Sequence, residues 1–363
     1  MIKRRTSRKI WVGNIPVGGG SAIPVQSMIK VPATDVKRAV AQVRELEAAG
    51  CVIVRAAVPD EESAQALAEI KKRIKIPLVA DIHFNYRLAL AAIESGADKI
   101  RLNPGNIRRQ EEIKAVVGAA KRRGIPIRVG VNSGSLNTVR CPTSDVRREN
   151  LAHRMAGAAL DYVRIIEKLK FRDIVISLKT PDICSTVESY RLIAGKVDYP
   201  LHLGMTATGP LIPAIVKSSL GIGILLLEGI GDTIRVSLTG DPVEEVKAGR
   251  EVLQATGLSG GVEIISCPTC GRCRVNLPRI VHRFQNALHL TPNTLHGSLR
   301  VAIMGCEVNG PGEAKEADIG LAFGGRNALL FRKGRILRKV KEGEAVSALL
   351  SELSNYPFKR RFS

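Results

Sequence analysis

The sequence predicts an α/β chain: a (β/α)8 TIM-type barrel over residues 1–255, followed by a smaller α/β domain over residues 256–363. Three observations carry that expectation. Between about residues 25 and 240, short runs rich in Val and Ile alternate with longer segments of helical periodicity, the pattern of βα units around a parallel sheet. There are eight such runs, more than an open doubly wound sheet usually holds. The pattern then changes: "TGDPVEEVKAGREVLQATGLSGG" reads as a helix ending in a Gly-rich linker, and four of the seven cysteines lie beyond it.

In chain order the expected strands are "IPVQSM", "CVIVRAAV", "PLVADI", "KIRLNP", "PIRVGVN", "DIVISLK", "PLHLGM" and "TIRVSL". The segments between them, such as "TDVKRAVAQVRELEAAG" and "EESAQALAEIKKRIK", place apolar residues three and four apart and end in Gly or a basic turn, as helices do. After the linker, "LRVAIMGCEVNGPGEAKEADIGLAFGG" and "ALLFRKGRILRKV" read as strands and turns of a compact second unit. Neither an internal repeat nor a low-complexity tract is present.

Polar residues recur at the carboxyl end of each expected barrel strand: Gln26, Arg55, Asp81 with His83, Asn103, Asn132, Ser177 with Lys179, His202 with Thr206, and Arg235 with Ser237. Strand ends on that face build barrel active sites, so the series predicts a polar pocket for an anionic ligand. Singly, each is as well read as a cap or loop contact. The loops add Arg109 after "NPGNIR" and Arg140 after the Gly- and Ser-rich "VNSGSLNTVR", whose backbone amides suit an anion. Guanidinium forks match phosphate oxygens in pairs, so Arg55, Arg109 and Arg140 at one mouth would hold a diphosphate. The plain alternative is surface ion pairing, strongest for Arg109 in its basic run.

Lys and Arg number 55 against 34 Asp and Glu, a formal charge of +21 that draws nucleic acid, anionic membranes, phosphorylated substrates or acidic proteins alike. Its densest stretches, "KRRTSRK" and "FKRRFS", are at the ends, where solvated tails are the expectation. Aromatic residues are 4% of the chain, little material for base-stacking platforms, so no nucleic-acid partner is expected. No apolar run is long enough to cross a bilayer, and the first residues lack a secretory core, so a cytoplasmic protein is expected.

In that setting a cysteine cluster points to metal more than to disulfides. Cys267, Cys270 and Cys273 are spaced evenly in "CPTCGRC", and Cys306 ends the strand-like "LRVAIMG". Counting thiols alone, all four hold one site, either structural zinc or a redox-active iron-sulfur cluster, and spacing does not choose. Glu313 lies seven positions after Cys306, across a Gly- and Pro-rich turn able to fold a carboxylate back; a solvated loop residue is the simpler reading.

Seven runs, "VADIHFNYRLAL", "KIRLNPGNI", "RVGVNSGSL", "PLHLG", "EGIGDTIRVSLT", "SCPTCGR" and "MGCEVNGPGEAKEADIG", occur in this order between about Val25 and Phe331. Together they resemble the bacterial 4-hydroxy-3-methylbut-2-enyl diphosphate synthase family (IspG/GcpE) in its short two-domain form. The resemblance implies a barrel followed by a 4Fe-4S cluster domain, with Cys267, Cys270, Cys306 and Glu313 as cluster ligands. Cys273 would then be a local substitution for the family's usual Thr, a spare thiol beside the cluster. The implied reaction is the two-electron reductive ring opening and dehydration of 2-C-methyl-D-erythritol 2,4-cyclodiphosphate, an enzyme step of isoprenoid synthesis by the methylerythritol phosphate (MEP) pathway. Arg55, Arg109, Arg140 and Lys179 would neutralise the diphosphate, with Asp81, His83, Asn103, Asn132, Ser177, Thr206 and Arg235 completing substrate binding. Glu228 in "LLLEGIGD" is the candidate proton donor or orienting group near the mouth. A flavodoxin or ferredoxin would donate electrons, and a homodimer would let one chain's cluster domain cap the other's barrel. Two departures stand against the pattern: "IKVPA" replaces a Thr- and Asn-rich run after "QSM", and Ala207 stands where a carboxylate is usual. They keep open a drifted paralogue acting on another phosphorylated substrate; a basic nucleic-acid-binding protein with structural zinc is the non-enzyme alternative.

Overall fold

Each of the eight apolar runs becomes a strand of a closed parallel barrel. The computed structural model describes residues 2–136, 144–290, 298–306, 312 and 314–356, and it divides into two units, Met1–Leu258 and Ser259–Ser363. In the first, β3 (Gln26–Met28), β4 (Ile53–Val58), β5 (Leu78–Ile82), β6 (Lys99–Leu102), β7 (Ile127–Asn132) and β8 (Ile174–Lys179) form one parallel sheet in sequence order. β9 (His202–Gly204) and β10 (Thr233–Arg235) pair in parallel and close it at both seams. Bridges Ile176↔Leu201 and Val25↔Ile234 join β8 to β9 and β10 to β3, with Ile176 N–H on the Pro200 carbonyl at 3.0 Å and Ile234 N–H on Pro24 at 3.1 Å.

The crossovers are α1 (Val36–Ala48), α2 (Glu61–Lys71), α3 (Tyr86–Glu94), α4 (Gln110–Arg123), α5 (Ser144–Lys168), α6 (Ile183–Ala194), α7 (Leu211–Leu227) and α8 (Pro242–Ala255). Their starts are written locally. Asp35, Asp60, Asn85, Asp182 and Asp241 each stand at an N-cap and accept a hydrogen bond from a first-turn amide. Strand residues pack against the buried helix faces in one large apolar core, while alternate residues of the same strands point into the barrel.

An antiparallel hairpin, β1 (Ile10–Val12) and β2 (Ile15–Val17), covers the amino-terminal end of the barrel: Ile10, Val12 and Val17 pack on Ile53, Val79 and Val175. The preceding basic run is correspondingly no solvated tail. Arg4 and Arg5 reach Asp232 at 3.3 and 3.5 Å, and Arg5 also donates to the Val197 and Tyr199 carbonyls at 2.6 Å, because carbonyls and a buried carboxylate at this end need donors. The other basic end, after residue 356, lies outside the described residues.

The second unit is a five-stranded sheet in sequence order: β11 (Gly261–Ser266), β12 (Ser298–Met304), β13 (Ile319–Gly324), β14 (Asn327–Arg332) and β15 (Arg335–Lys341). The first three run parallel; the last two are antiparallel. α9 (Leu277–Leu290) and α10 (Ala345–Ser354) bury Ile280, Phe284, Val346 and Leu349 against one face. On the other, Ala302, Met304, Ala322 and Phe331 pack with Ala314, Ala317, Ile265 and Cys267. No helix among the described residues is long and apolar enough to cross a membrane.

Candidate functional site

Strand pleating sends every second residue inward, and in this barrel those positions are charged. Lys99 and Arg101 on β6, Arg128 on β7, Lys179 on β8 and Arg55 on β4 are all buried, and Arg235 on β10 is nearly so. Against these six cations stand two carboxylates, Asp81 on β5 and Glu245 on α8. Asp81 meets Arg101 Nη1 at 3.2 Å, His83 Nε2 at 3.3 Å and Arg55 Nε at 3.7 Å; Glu245 meets Lys30 at 3.0 Å and Arg235 at 3.3 Å. Two glycines make the crowding feasible. A Cβ on Gly130 would stand 2.6 Å from Arg101 Nε, and one on Gly204 would stand 2.7 Å from Lys179 Nζ.

Burial dominates the ionisation of this group. It holds the Lys99 and Lys179 ammoniums well below the ordinary lysine range, with neighbouring guanidiniums adding to the effect. It pulls Arg55 down to about 10, partly offset by Asp81, and moves Arg128 in the same direction. His202, buried beside Lys179, is held well below the usual histidine range. Burial alone would raise Asp81, but Arg55, His83 and Arg101 outweigh it and keep this carboxyl well below its ordinary value. Among the described residues, Lys99 Nζ, Lys179 Nζ, Arg128 Nε and Nη1, Arg235 Nε, His202 Nε2 and both amide atoms of Gln26 are buried without a hydrogen-bond partner. Uncompensated buried cations are costly, and a polyanion is the ligand that removes the cost.

At the carboxyl end, Asn103 ties two loops together. Its Oδ1 accepts from Gly105 N–H at 3.1 Å and from Ser135 Oγ at 3.2 Å, while Ser135 also donates to the Asn132 carbonyl at 2.7 Å. Gly105 must be small here, since a Cβ would meet the Ser135 carbonyl at 2.6 Å. Ser177 is buried in the same interior; His83 is half exposed over Asp81, beside the exposed ring of Phe84. Thr206 is half-buried, its N–H on the Thr180 carbonyl at 3.3 Å, and the following Ala207 is exposed in a left-handed conformation at φ 52°.

The structure therefore brings together Arg55, Asp81, His83, Asn103, Asn132, Ser177, Lys179, Thr206 and Arg235. Arg109 stands exposed at the start of α4. Arg140 and Glu313 lie outside the described residues. Glu228 is separated from the group: it follows α7 and precedes β10, so it belongs to the amino-terminal end, opposite the mouth where it was expected. There it pairs with Arg191 of α6 through Nε at 3.0 Å and Nη2 at 2.5 Å. Lys99, Arg101, Arg128 and Glu245 are additional members of the charged interior. The first three were detectable as alternate charged residues within apolar runs, "KIRLN" and "IRVGVN".

In the second unit, Cys267 follows β11 and Cys306 follows β12, the adjacent parallel strand, so both arrive at one end of the sheet. Gly305 N–H donates to Cys267 Sγ at 3.3 Å. A Cβ on Gly305 would stand 3.2 Å from Cys267 Sγ and 2.5 Å from Cys273 Sγ, so this glycine makes room for two sulfurs. Thr269 bends "CPTC" through a left-handed residue, φ 59°, leaving Cys270 exposed. Among the described residues no three ligating side chains already stand at metal-holding distances. The donor set is soft sulfur on short loops with an amide N–H aimed at one of the sulfurs, which suits a thiophilic metal centre.

The family model for the GcpE TIM-barrel domain matches residues 7–250, and that for the GcpE protein C-terminal domain matches residues 263–355. A curated protein of Thermodesulfovibrio yellowstonii is 53% identical over 97% of this chain and 99% of its own length. One of Caldanaerobacter subterraneus subsp. tengcongensis is 54% identical over 97% and 98%, and one of Clostridium acetobutylicum 50% identical over 98% and 100%. All three are named 4-hydroxy-3-methylbut-2-en-1-yl diphosphate synthase (flavodoxin).

Proposed function

The chain belongs to the GcpE family, and from that premise we propose that it is an iron-sulfur oxidoreductase with the activity its relatives are named for. In this reading 2-C-methyl-D-erythritol 2,4-cyclodiphosphate takes up two electrons and two protons, the ring C–O bond to phosphate and a neighbouring carbon–hydroxyl bond break, a C=C bond forms between the two carbons, and the allylic diphosphate and water leave. The observation that carries it is the barrel interior, where six buried or nearly buried cations face two carboxylates.

Arg55, Lys179 and Arg235, with Arg109 and Arg140 from the loops, bind the diphosphate, and Lys99, Arg101 and Arg128 extend the same field inward. Ring opening turns a bridging phosphate oxygen into a terminal one with more charge, so fixed cations favour the opened state over the closed one. Asp81 holds Arg55 and Arg101 in place, and Asn103, Asn132, Ser177, His83 and Thr206 supply hydrogen bonds to the carbon skeleton's oxygens. Cys267, Cys270, Cys306 and Glu313 would hold a 4Fe-4S cluster, with Cys273 beside it. When bound, that cluster supplies single electrons and an iron open to an oxygen ligand.

A flavodoxin is the electron donor in this reading, the setting is cytoplasmic, and the working form is a homodimer. The support for a second copy is an exposed apolar stripe on α7, with Ile212, Val216, Leu220 and Leu227 at helical spacing. Anaerobic purification with iron and sulfide analysis, followed by turnover of the cyclodiphosphate with dithionite, tests the function. Brown, iron-loaded protein that forms the allylic diphosphate is expected; colourless, zinc-loaded protein overturns it. Cys306→Ser should lose the cluster and Cys273→Thr should keep it.

A further inference from the structure

The face of the second sheet that carries Cys267 does not end at the cysteines. Directly opposed residues of neighbouring strands share a face, and the register pairs Ala322 with Leu329, Leu329 with Lys339, and Phe331 with Ile336. Ile336 and Lys339 therefore continue the side on which Cys267, Ala322 and Phe331 pack. β15 is the edge strand, exposed at six of its seven residues. It carries Arg335, Arg338, Lys339 and Lys341, and among the described residues none of these four has an ion-pair partner. A register shift at Leu330/Phe331 leaves Leu337 as an extra residue, and Ile336 and Leu337 are 64% and 45% exposed.

Charges and bulges on an edge strand guard against aggregation, which would account for the lysines and the bulge. It does not account for two large apolar side chains turned outward beside Lys339 and Lys341, which lie opposite Leu329 and Asn327 on the same face. That composition, an apolar centre within a single-sign charged rim, is the surface that meets an acidic protein. Residues 259–363 hold 16 Lys and Arg against 8 Asp and Glu, so the long-range field over this unit has the same sign. β15 is three strand spacings from β12, which ends at Met304 just before Cys306, or roughly 14 Å.

We propose that β15 and the adjoining cysteine-bearing face of its sheet form the docking surface for an acidic, flavin-carrying electron donor. This rests on the functional reading above, and its test has a readout independent of turnover. The holoprotein and two charge-matched variants are titrated with purified oxidised flavodoxin by calorimetry at low and high salt. One variant is Lys339→Glu/Lys341→Glu on the cysteine-bearing face. The other is Lys121→Glu/Arg122→Glu in the last turn of α4, a control for net charge.

Flavodoxin Kd should rise at least tenfold at low salt in the β15 variant and less than twofold in the control, with the difference shrinking at high salt. Iron content and dithionite-driven turnover of the β15 variant should equal those of the parent. An unchanged Kd, an equal rise in both variants, or a change of oligomeric state without a change of Kd overturns the docking assignment. Failure of the parent to turn over with dithionite instead strikes the functional reading and leaves the binding result to stand on its own.

Discussion

At the floor of the barrel Arg4 and Arg5 share Asp232, Arg8 meets Asp198, Lys71 meets Asp98 and Arg191 meets Glu228. Inside the mouth, among the described residues, six buried or nearly buried cations and Lys30 face two carboxylates, and several of their nitrogens have no hydrogen-bond partner. The same residue types thus do opposite work at the two ends of one set of strands. Pairing at the floor satisfies carbonyls and carboxylates and contributes stability. Surplus charge above it lowers stability and prepares a place for an anion.

The comparison is sharpest at Asp232, which is buried and accepts from Ser7 Oγ at 2.7 Å and Leu201 N–H at 2.9 Å as well as facing Arg4 and Arg5. Asp232→Ala should cost about 3–5 kcal/mol, since it strands two guanidiniums and a buried amide. Denaturant melts check this, and kcat/KM of the remaining folded protein should stay within about twofold. A large loss of activity in folded protein would break the division between the ends.

Lys179→Met makes the opposite trade. Losing one preorganised cation should lower kcat/KM roughly 10²–10³-fold. Stability should rise by about 1–4 kcal/mol, as when apolar groups replace buried charge. A destabilised Lys179→Met would mean that its ammonium is compensated in the ligand-free barrel.

The third expectation concerns protons. Lys99 and Lys179 are depressed in the folded barrel, so between their folded values and the ordinary lysine range the unfolded chain binds more protons and stability rises with pH. A diphosphate restores the charged forms. Its binding should therefore take up protons, and its affinity should fall as pH rises. Calorimetry of pyrophosphate in two buffers of different ionisation heat measures the uptake, and Lys99→Met should reduce it; zero uptake would place both ammoniums as already charged.

Much of this was legible in the residues. Eight Val- and Ile-rich runs gave the barrel, because buried parallel strands have no reason to be anything but apolar outside and selective inside. The hairpin at the floor carries a purely local signal in "VGNIPV": Gly13, at φ 57°, and Asn14 form the two-residue turn between two short apolar runs. Lys99, Arg101 and Arg128 stand below the strand ends that mark a barrel's active face, and it is their long side chains that carry charge upward from lower layers. Cys267 and Cys306 on adjacent strands could not be read from spacing, since their meeting is set by the parallel β11–β12 register. The basic run at Arg4 and Arg5 misled by composition: its partners lie some two hundred residues away, where no local rule reaches.

Glu228 closes the comparison with the smallest effect. Its position between α7 and β10 assigns it to the floor, because in a βα barrel every helix-to-strand return lies there. Its carboxyl is held below the ordinary range, chiefly by the hydrogen bond from Arg191, but the pair is substantially exposed on both sides. Exposed pairs are worth about 0–1 kcal/mol, so Glu228→Gln should change stability by no more than that. It should leave kcat/KM within about threefold and the pH–rate profile unmoved, since a group at the floor has no path to a proton at the mouth. A shifted acid limb in Glu228→Gln would return this residue to the chemistry and would mean that the two ends are coupled through the barrel.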